Sequence, residues 1–187
     1  MHHSNINTSD TEVNRLLFEG LTKENEKGEI VAGLAQRWEI SQDYKKITFY
    51  LRDNLKYSNG MPMTSEDFLR TISKWKNSKS FYEDKYLIIK AVNDKILEVE
   101  LKDKINMGKW EDVSKFYLKE FGKPVNAPKN KEISDKDKYF VYNMDSKKIL
   151  STSPYILKEY GNERAILTKN PNYWNKNNIR TESMRLW

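Results

Sequence analysis

Few side chains in this sequence have the chemistry that catalysis requires. The only histidines are His2 and His3, beside the initiator Met1, where a terminus is usually mobile and where a purification tag or its remnant would sit, so we exclude both from function. Paired carboxylates such as Glu66 and Asp67 are the remaining candidates for acid–base work, as in a hydrolase. Acids at the start of a predicted helix are better explained by capping and by the helix dipole. The sequence therefore predicts a protein that is not an enzyme.

Metal and cofactor chemistry finds no support in the composition. Cysteine is absent, which excludes disulfides, thiolate nucleophiles and zinc–cysteine sites. With both histidines set aside, we predict no metal site and no cofactor. At 187 residues, with 37% hydrophobic and 12% aromatic residues, the chain is long enough to bury a core of its own.

The positive charge is spread among acids rather than gathered on one face. The formal net charge is +6, 32% of the residues are charged, and the mean hydropathy is −0.86. Lysines alternate with glutamates and aspartates in residues 23–27 and 129–138, which is typical of a solvated surface. The sequence has no arginine-rich helix and no aromatic RNA-binding strand. We therefore predict no nucleic-acid partner.

Hydrophobic alternation predicts the strands that build the fold. Ile47, Phe49 and Leu51 alternate with Thr48, Tyr50 and Arg52, as a half-buried strand requires. Two pairs of alternating runs flank short polar turns and indicate hairpins, one over residues 86–101 and one over 155–168. The last residues alternate like the first half of a strand, so we expect the sequence to be cut within one.

Helix signals lie between these strands. A hydrophobic spacing of three to four residues predicts a short helix from residue 12 that ends at Gly20. A capping box at residues 64–67 starts a second helix. A third helix is predicted over residues 109–121, followed by a charged surface loop at 123–138. The hydrophobic face of the second helix comprises Phe68, Leu69, Ile72 and Trp75.

Four sequence segments carry recognisable motifs. They are LFEGLT at residues 17–22, VAGLAQRWEIS at 31–41, ITFYLRDN through KYSNGMPMTSEDF at 47–68, and SPYILKE at 153–159 followed by NPNYW at 170–174. In this order they resemble the N-terminal part of the extracellular solute-binding proteins of peptide ABC transporters, the family that includes oligopeptide- and dipeptide-binding proteins. The third segment is the most specific, because a strand ending in Leu-Arg-Asp, an aromatic before a Ser-Asn-Gly turn and a Pro-x-Thr-x-Glu-Asp-Phe helix start rarely coincide.

The resemblance implies a fold. The expected class is α+β, with mixed sheets and packed helices that form part of the first lobe of a two-lobed, periplasmic-binding-protein-like (type II) fold. NPNYW is expected to be a structural corner in which Tyr173 and Trp174 pack rather than contact ligand. The sequence departs from the family at two places. The glycine that usually precedes Pro-Tyr is here Ser153, and residues 102–150 form a divergent, insert-like region.

The resemblance also implies a ligand and the residues that meet it. In this family a peptide is held between two lobes that close around it, largely through main-chain hydrogen bonds, and is then delivered to a membrane permease. The segment before LFEGLT lies near the ligand, and an aromatic residue often faces the cleft near positions 82 and 86. The ligand-binding candidates are Asn7, Thr8, Ser9, Asp10, Tyr82 and Tyr86.

The resemblance covers only part of a family member. We expect residues 1–11 to be a flexible N-terminal segment and residues 12–187 to be an N-terminal lobe section whose second lobe is absent. Such a section should bind peptide weakly and self-associate through apolar surface around Leu186 and Trp187. The implied location is the extracellular face of the membrane or the periplasm, with a lipid anchor in the native protein and no signal peptide in this sequence. The alternative is a stand-alone cell-surface interaction module that binds a protein partner through residues 102–150.

Overall fold

The structure, a computed structural model, describes residues 13, 15–76, 87–101, 149–161 and 164–186, and of residues 72–76, 87 and 101 it describes the backbone. These residues divide into two units. The sheet–helix unit contains the described residues of 19–55, 63–76 and 87–101. The corner unit contains those of 13–18, 56–62 and 149–186.

Two helices and nine strands are assigned within the described residues. In chain order they are α1 (helical residues 13 and 15–17), β1 (Thr22–Glu24), β2 (Ile30–Ala32), β3 (Ala35–Ile40), β4 (Lys46–Leu51), α2 (Ser65–Lys76), β5 (Leu87–Asn93), β6 (Ile96–Leu101), β7 (Tyr155–Tyr160), β8 (Ala165–Lys169) and β9 (Ser183–Leu186). The sheet–helix unit has an antiparallel sheet in the order β3-β4-β6-β5 and a separate ladder of β1 with β2. The corner unit has the antiparallel sheet β7-β8-β9.

Alternation along β4 places its hydrophobic residues in the core of the sheet–helix unit, as the sequence predicts. Ile47 and Phe49 are fully buried and Leu51 nearly so. On the neighbouring strand β6, Val99 lies opposite Ile47 and Leu97 lies opposite Phe49, and both are fully buried. The same face of both strands therefore forms the core, and α2 packs against β5 and β6.

Both predicted hairpins are confirmed. β5 and β6 pair in an antiparallel register around a turn at residues 94–95. β7 and β8 pair in the same manner, from Tyr155 with Lys169 to Tyr160 with Ala165. β9 adds to β8 as a third strand, in agreement with the alternation at the end of the sequence.

The start of α2 forms as the capping motif predicts. The Asp67 carboxylate accepts the backbone N–H of Thr64 at 2.8 Å, and the helix begins at Ser65. Asp67 is 2% exposed, so this carboxylate is committed to the helix start and is not open to a substrate. Phe68 is buried as predicted. The side chains of Ile72 and Trp75, together with the predicted helix 109–121 and the loop 123–138, lie outside the described residues.

α1 ends earlier than the sequence predicts. Its last helical residue is Leu17 rather than Gly20, so that prediction was wrong. In the sheet–helix unit, the carbonyl oxygens of Gly20 and Leu21 accept the N–H groups of residues 33–35 at 2.9 to 3.1 Å. This pairing needs an extended backbone at Gly20 and Leu21, and it overrides the local helix pattern.

The corner unit has a hydrophobic core of its own. Leu186 packs against this core while partly buried, rather than lying open as we expected. Trp187, the other residue expected to be exposed, lies outside the described residues, so self-association remains a prediction. The buried core residues are Val13, Leu17, Ile149, Leu157, Ala165 and Leu167.

The NPNYW stretch forms a corner after β8. The Asn170 N–H donates to the carbonyl oxygen of Pro154 at 2.8 Å, and the Tyr173 N–H donates to the carbonyl oxygen of Asn170 at 3.2 Å. Tyr173 is 7% exposed, and its ring centroid lies 5.4 Å from that of Trp174. A 3-10 turn at Lys176–Asn178 follows. Tyr173 therefore packs into the corner, as the resemblance implies.

Ser153 adopts an ordinary backbone conformation at the position where the family usually has glycine. Among the described non-glycine residues, only Tyr44 and Asn54 have a positive φ, at 58° and 56°. Ser153 therefore needs none of the conformational freedom that glycine provides. Its side chain is 2% exposed, so the hydroxyl is enclosed by protein.

Candidate functional site

The predicted ligand-binding residues lie outside the described part of the chain. This holds for the segment 7–10 and for the two tyrosines. The structure does describe where these residues join the fold, because Val13 of α1 follows Asp10 by three positions and Tyr86 directly precedes β5. α1 is therefore the described element next in sequence to the segment 7–10. The predicted residues concerned are Asn7, Thr8, Ser9, Asp10, Tyr82 and Tyr86.

The C-terminal end of α1 is held by a loop from far along the chain. Carbonyl groups in the last turn of a helix have no partner within the helix. The carbonyl oxygen of Leu16 accepts a hydrogen bond from the Ser153 hydroxyl. The carbonyl oxygen of Leu17 accepts one from the Ser151 hydroxyl at 2.6 Å and one from the backbone N–H of Thr152 at 3.0 Å. Residues 151–153 therefore satisfy both helix-end carbonyls.

Two asparagines and one serine extend this network. The Asn170 amide donates to the Ser153 carbonyl at 2.9 Å, and its oxygen accepts the Asn172 N–H at 3.0 Å. The Asn172 amide donates to the Ser58 carbonyl at 2.9 Å. The Ser58 N–H donates to the Ser151 carbonyl at 2.9 Å, and the Ser58 hydroxyl oxygen accepts the Ser151 N–H at 3.0 Å. We name these residues the Ser/Asn cluster: Ser58, Ser151, Thr152, Ser153, Asn170 and Asn172.

The Ser/Asn cluster is uncharged, and most of it is buried. Ser151 and Asn170 have no exposed surface, and Thr152 and Ser153 are each 2% exposed. None of these side chains ionises near neutral pH, so they orient backbone groups but do not act as a general acid or base. The geometry fits a role in holding α1 and the neighbouring loops rather than a catalytic one.

The groups with a shifted pKa lie on the surface of the sheet–helix unit. The pKa of Glu39 is lowered mainly by a hydrogen bond from Arg37. A second hydrogen bond, from the Tyr50 hydroxyl at 3.0 Å, lowers it further. The Arg37 guanidinium carbon lies 3.5 Å from the centroid of the Tyr50 ring. A hydrogen bond from the Ser41 hydroxyl lowers the pKa of Asp43. Each shift favours the charged form of an exposed carboxylate and follows from local hydrogen bonding.

Metal-binding side chains do not converge within the described residues, where no three histidines, aspartates or glutamates lie close enough to hold an ion. In the same part of the chain, neither helix has the length and apolar character needed to span a membrane. The described part of the protein thus offers hydrogen-bonding groups and surface charge.

Sequence reasoning missed the Ser/Asn cluster, although a signal was present. Ser151, Thr152 and Ser153 directly precede Pro154, and two asparagines flank Pro171. Short hydroxyl and amide side chains beside proline tend to bond nearby backbone groups, which could have marked these stretches. The sequence does not show the distant partners, since Ser151 and Leu17 are 134 positions apart.

Comparison with known proteins decides the family. A family model described as "Bacterial extracellular solute-binding proteins, family 5 Middle" matches residues 29–184. The chain belongs to this family. The resemblance on which the sequence analysis rested is thereby confirmed, and the family 5 description places its members outside the cytoplasmic membrane as extracellular proteins.

Two curated relatives show how the chain compares with other solute-binding proteins. The oligopeptide-binding protein OppA of Bacillus subtilis (strain 168) is 31% identical over 192 residues, which cover 91% of this chain and 33% of the relative. The periplasmic murein peptide-binding protein MppA of Escherichia coli (strain K12) is 48% identical over 64 residues, covering 34% of this chain and 12% of the relative. The chain spans about a third of the length of OppA.

A solved structure confirms the predicted fold class. NikA from Brucella suis, in complex with Fe(III)-EDTA, superposes with a TM-score of 0.73 at 20% sequence identity, covering 100% of this chain and 35% of that chain. At this identity the similarity shows the fold alone. This family 5 chain therefore has the fold of a section of a type II periplasmic-binding protein, with mixed sheets and packed helices.

Proposed function

We propose that this chain forms part of the first lobe of the substrate-binding component of an ABC importer, which captures oligopeptides and delivers them to a membrane permease. The observation that carries the proposal is the family 5 match over residues 29–184. The curated relatives are named as oligopeptide- and murein peptide-binding proteins, whereas the neighbour that holds a metal complex is similar in fold at 20% identity. Peptide is therefore the better supported ligand class, and capture for import is better supported than a stand-alone interaction module.

The proposal also assigns each part of the chain to a part of the protein. Residues 12–187 form a section of the first lobe, with residues 102–150 as a divergent insert, and the second lobe is supplied by sequence outside this chain. The coverage of 33% of OppA supports this division, because a relative three times as long has room for a second lobe. Residues 1–11 form the N-terminal segment that carries the first ligand contacts.

Two groups of residues contact the ligand in this proposal. The backbone groups of Asn7, Thr8, Ser9 and Asp10 pair with the peptide main chain, as a strand does with its neighbour. Tyr82 and Tyr86 offer aromatic surface to its side chains. Because main-chain pairing is independent of sequence, this arrangement suits a protein that accepts many peptides.

The chain by itself should bind peptide weakly. A peptide ends in an ammonium and a carboxylate, and burying either charge requires an opposite charge or several hydrogen bonds. The Ser/Asn cluster is neutral, and the shifted carboxylates Glu39 and Asp43 are exposed surface groups. We propose that the second lobe meets most of these terminal charges. We further propose that the native protein is lipid-anchored on the outer face of the membrane, and that the chain alone self-associates.

Calorimetric titration tests this function. The whole protein that carries this sequence is titrated with a pool of dipeptides to octapeptides, and the chain alone is titrated in parallel. Saturable peptide binding by the whole protein and weak binding by the chain are expected. A submicromolar dissociation constant for the chain alone would refute the shared site. Uptake of Ni(II)-histidine without any uptake of peptide by the whole protein would refute peptide capture.

A matched pair of tyrosine variants tests the ligand contact. In the whole protein, Tyr86→Ala should weaken peptide binding severalfold, because it removes aromatic surface from the cleft. Tyr44→Ala removes the same side chain from a surface position that is 39% exposed, and it should leave the affinity unchanged. Equal peptide affinities for the two variants would show that Tyr86 does not contact the ligand.

A further inference from the structure

The turn over residues 56–62 contains two neighbouring residues that can react with each other. Asn59 is followed by Gly60, and this is the only Asn-Gly pair in the sequence. We propose that Asn59 is a site of spontaneous deamidation and that the folded turn controls the rate of the reaction. The reaction needs only water and the chain itself, so it is independent of peptide capture.

Deamidation is a cyclisation followed by a hydrolysis. The Gly60 amide nitrogen gives up its proton to hydroxide and attacks the side-chain carbonyl carbon of Asn59. A nitrogen–carbon bond forms there, the bond from that carbon to Nδ2 breaks, and Nδ2 takes one proton from water and leaves as ammonia. Water then opens the five-membered succinimide at either of its carbonyls, which leaves aspartate or isoaspartate at position 59. One water is consumed and one ammonia is released, and no group is oxidised or reduced.

Access to the reacting atoms favours this pair. Asn59 is exposed, so water and hydroxide reach its side chain. Gly60 has no side chain to obstruct the approach of its nitrogen, and even a Cβ there would lie 3.8 Å from the Asn172 Nδ2, an ordinary contact distance. Asn170 is the opposite case, because it is fully buried and the proline that follows it has no N–H to react.

Hydrogen bonds hold both reacting groups while the turn is folded. The Gly60 N–H donates to the carbonyl oxygen of Tyr57 at 2.9 Å. The Asn59 Oδ1 accepts the backbone N–H of Met61 at 3.1 Å, which fixes the side-chain amide toward that residue. The reaction requires a free Gly60 N–H and a side chain that can turn toward it. It therefore proceeds from a locally opened turn, as the exchange of a protected amide proton does.

The Ser/Asn cluster holds this turn closed. Ser58, directly before Asn59, exchanges two hydrogen bonds with the backbone of Ser151, at 2.9 and 3.0 Å. Its carbonyl oxygen also accepts the Asn172 amide at 2.9 Å. Opening the turn disturbs these bonds as well as those at Gly60 and Met61. The rate of deamidation should therefore report how firmly the cluster holds residues 56–62.

The two products should differ in their effect on the turn. Aspartate keeps a side-chain oxygen that can accept the Met61 N–H. Isoaspartate instead inserts a methylene group into the main chain before Gly60. The inserted group lengthens the path between Tyr57 and Met61, whose N–H and carbonyl oxygen are paired at 2.9 Å. Isoaspartate, and not aspartate, should therefore loosen the turn.

Peptide mapping of the full 187-residue chain measures the rate. Trypsin cleaves after Lys56 and Arg70, and the peptide 57–70 contains Asn59 as its only asparagine and no glutamine. The mass change of deamidation in this peptide is followed over time at pH 8.5 and 37 °C, with and without guanidinium chloride. Two hydrogen bonds of ordinary net strength correspond to about five- to thirtyfold, so the folded chain should react at least about fivefold more slowly than the denatured chain.

A matched pair of variants tests the contribution of the Ser/Asn cluster. Asn172→Ala removes the amide that holds the Ser58 carbonyl, and it should accelerate deamidation of the folded chain about two- to tenfold. Asn178→Ala removes an exposed amide that bonds to Asn175, and it should react like the wild type. In guanidinium chloride all three chains should react at the same rate.

A second measurement compares the products. The isoaspartyl form is separated by ion exchange and scored by methylation with a protein-isoaspartate methyltransferase. Its urea midpoint should be lower than that of the unmodified chain. Freshly prepared Asn59→Asp carries the same charge on an ordinary backbone, and its midpoint should match the wild type.

Each result decides a separate point. No mass change in peptide 57–70 of the denatured chain would show that Asn59 is not a modification site. Equal rates in the folded and denatured chains would overturn control by the folded turn. Equal rates for Asn172→Ala and Asn178→Ala would overturn the role of the Ser/Asn cluster. An isoaspartyl form with the wild-type midpoint would overturn the loosening of the turn.

Discussion

Gly33 lies very close to a neighbouring backbone segment in the sheet–helix unit, and its replacement by alanine should be costly. A Cβ atom at this position would lie 2.6 Å from the carbonyl oxygen of Gly20 and 3.0 Å from that of Leu21. Both contacts are with backbone, which cannot rotate away as a long side chain can. The Gly33→Ala variant must therefore push residues 20–22 away from residues 33–35.

The expected loss of stability in Gly33→Ala follows from the contacts that the change disrupts. The displaced segments are joined by three hydrogen bonds, from the N–H groups of Gly33, Leu34 and Ala35 at 3.1, 2.9 and 3.0 Å. Overpacking costs about 1–3 kcal/mol, and each weakened hydrogen bond adds up to about 1 kcal/mol. We expect Gly33→Ala to lower the free energy of unfolding by about 2–4 kcal/mol.

Gly161→Ala is the matched control for this prediction. Within the described part of the chain no atom lies within 4 Å of a Cβ at Gly161, and its φ lies outside the left-handed region. This change should leave stability unaltered or raise it by up to about 1 kcal/mol, since alanine restricts the unfolded chain. Urea unfolding followed by far-ultraviolet circular dichroism measures both variants. Equal urea midpoints for the two variants would show that the close approach at Gly33 does not affect stability, and would refute the reasoning.

Three further predictions, the first with a control variant, test other parts of the structure. Asn170→Ala removes two buried hydrogen bonds and should cost about 2–3 kcal/mol in urea unfolding, whereas Asn178→Ala, at an exposed turn, should cost less than about 0.5 kcal/mol; equal losses would contradict the buried network. Ser41→Ala should raise the pKa of Asp43 toward its ordinary value, followed by NMR titration. That pKa is lowered in the fold, so the stabilisation is present above the unfolded-state pKa and is lost as the pH falls through the folded-state pKa. Phe49→Ala should cost about 3–5 kcal/mol, and a smaller loss would place Phe49 outside the core.

Local sequence patterns predicted the strands and the start of α2 because these elements depend on residues that lie close together in the sequence. A strand of period two buries every second residue, so Ile47 and Phe49 could be assigned to the core before the structure was known. The capping of α2 depends on Thr64 and Asp67, three positions apart. The end of α1 was predicted wrongly because pairing of Gly20 with a segment more than ten residues away decides it, and no local pattern carries that information.

The candidate site was less predictable than the fold. The family resemblance supplied the ligand-binding candidates at residues 7–10, 82 and 86, and these remain predictions because they lie outside the described residues. The Ser/Asn cluster was missed because a serine hydroxyl can bond to many backbone groups, and the sequence does not say which. Ser151 finds its partner 134 positions away at Leu17, and only the folded chain brings the two together.

The neutrality of the Ser/Asn cluster has a consequence for a protein of an extracellular family. A buried charged side chain at the end of α1 would need a partner of opposite charge. The strength of its hydrogen bond to α1 would also change as the pH moved through its pKa. Serine and asparagine do not titrate between acid and neutral pH, so the hydrogen bonds to Leu16 and Leu17 keep their strength over that range. The carboxylates with resolved shifts, Glu39 and Asp43, lie in the other unit. Acid should therefore weaken the sheet–helix unit through these carboxylates while the Ser/Asn cluster is unaffected.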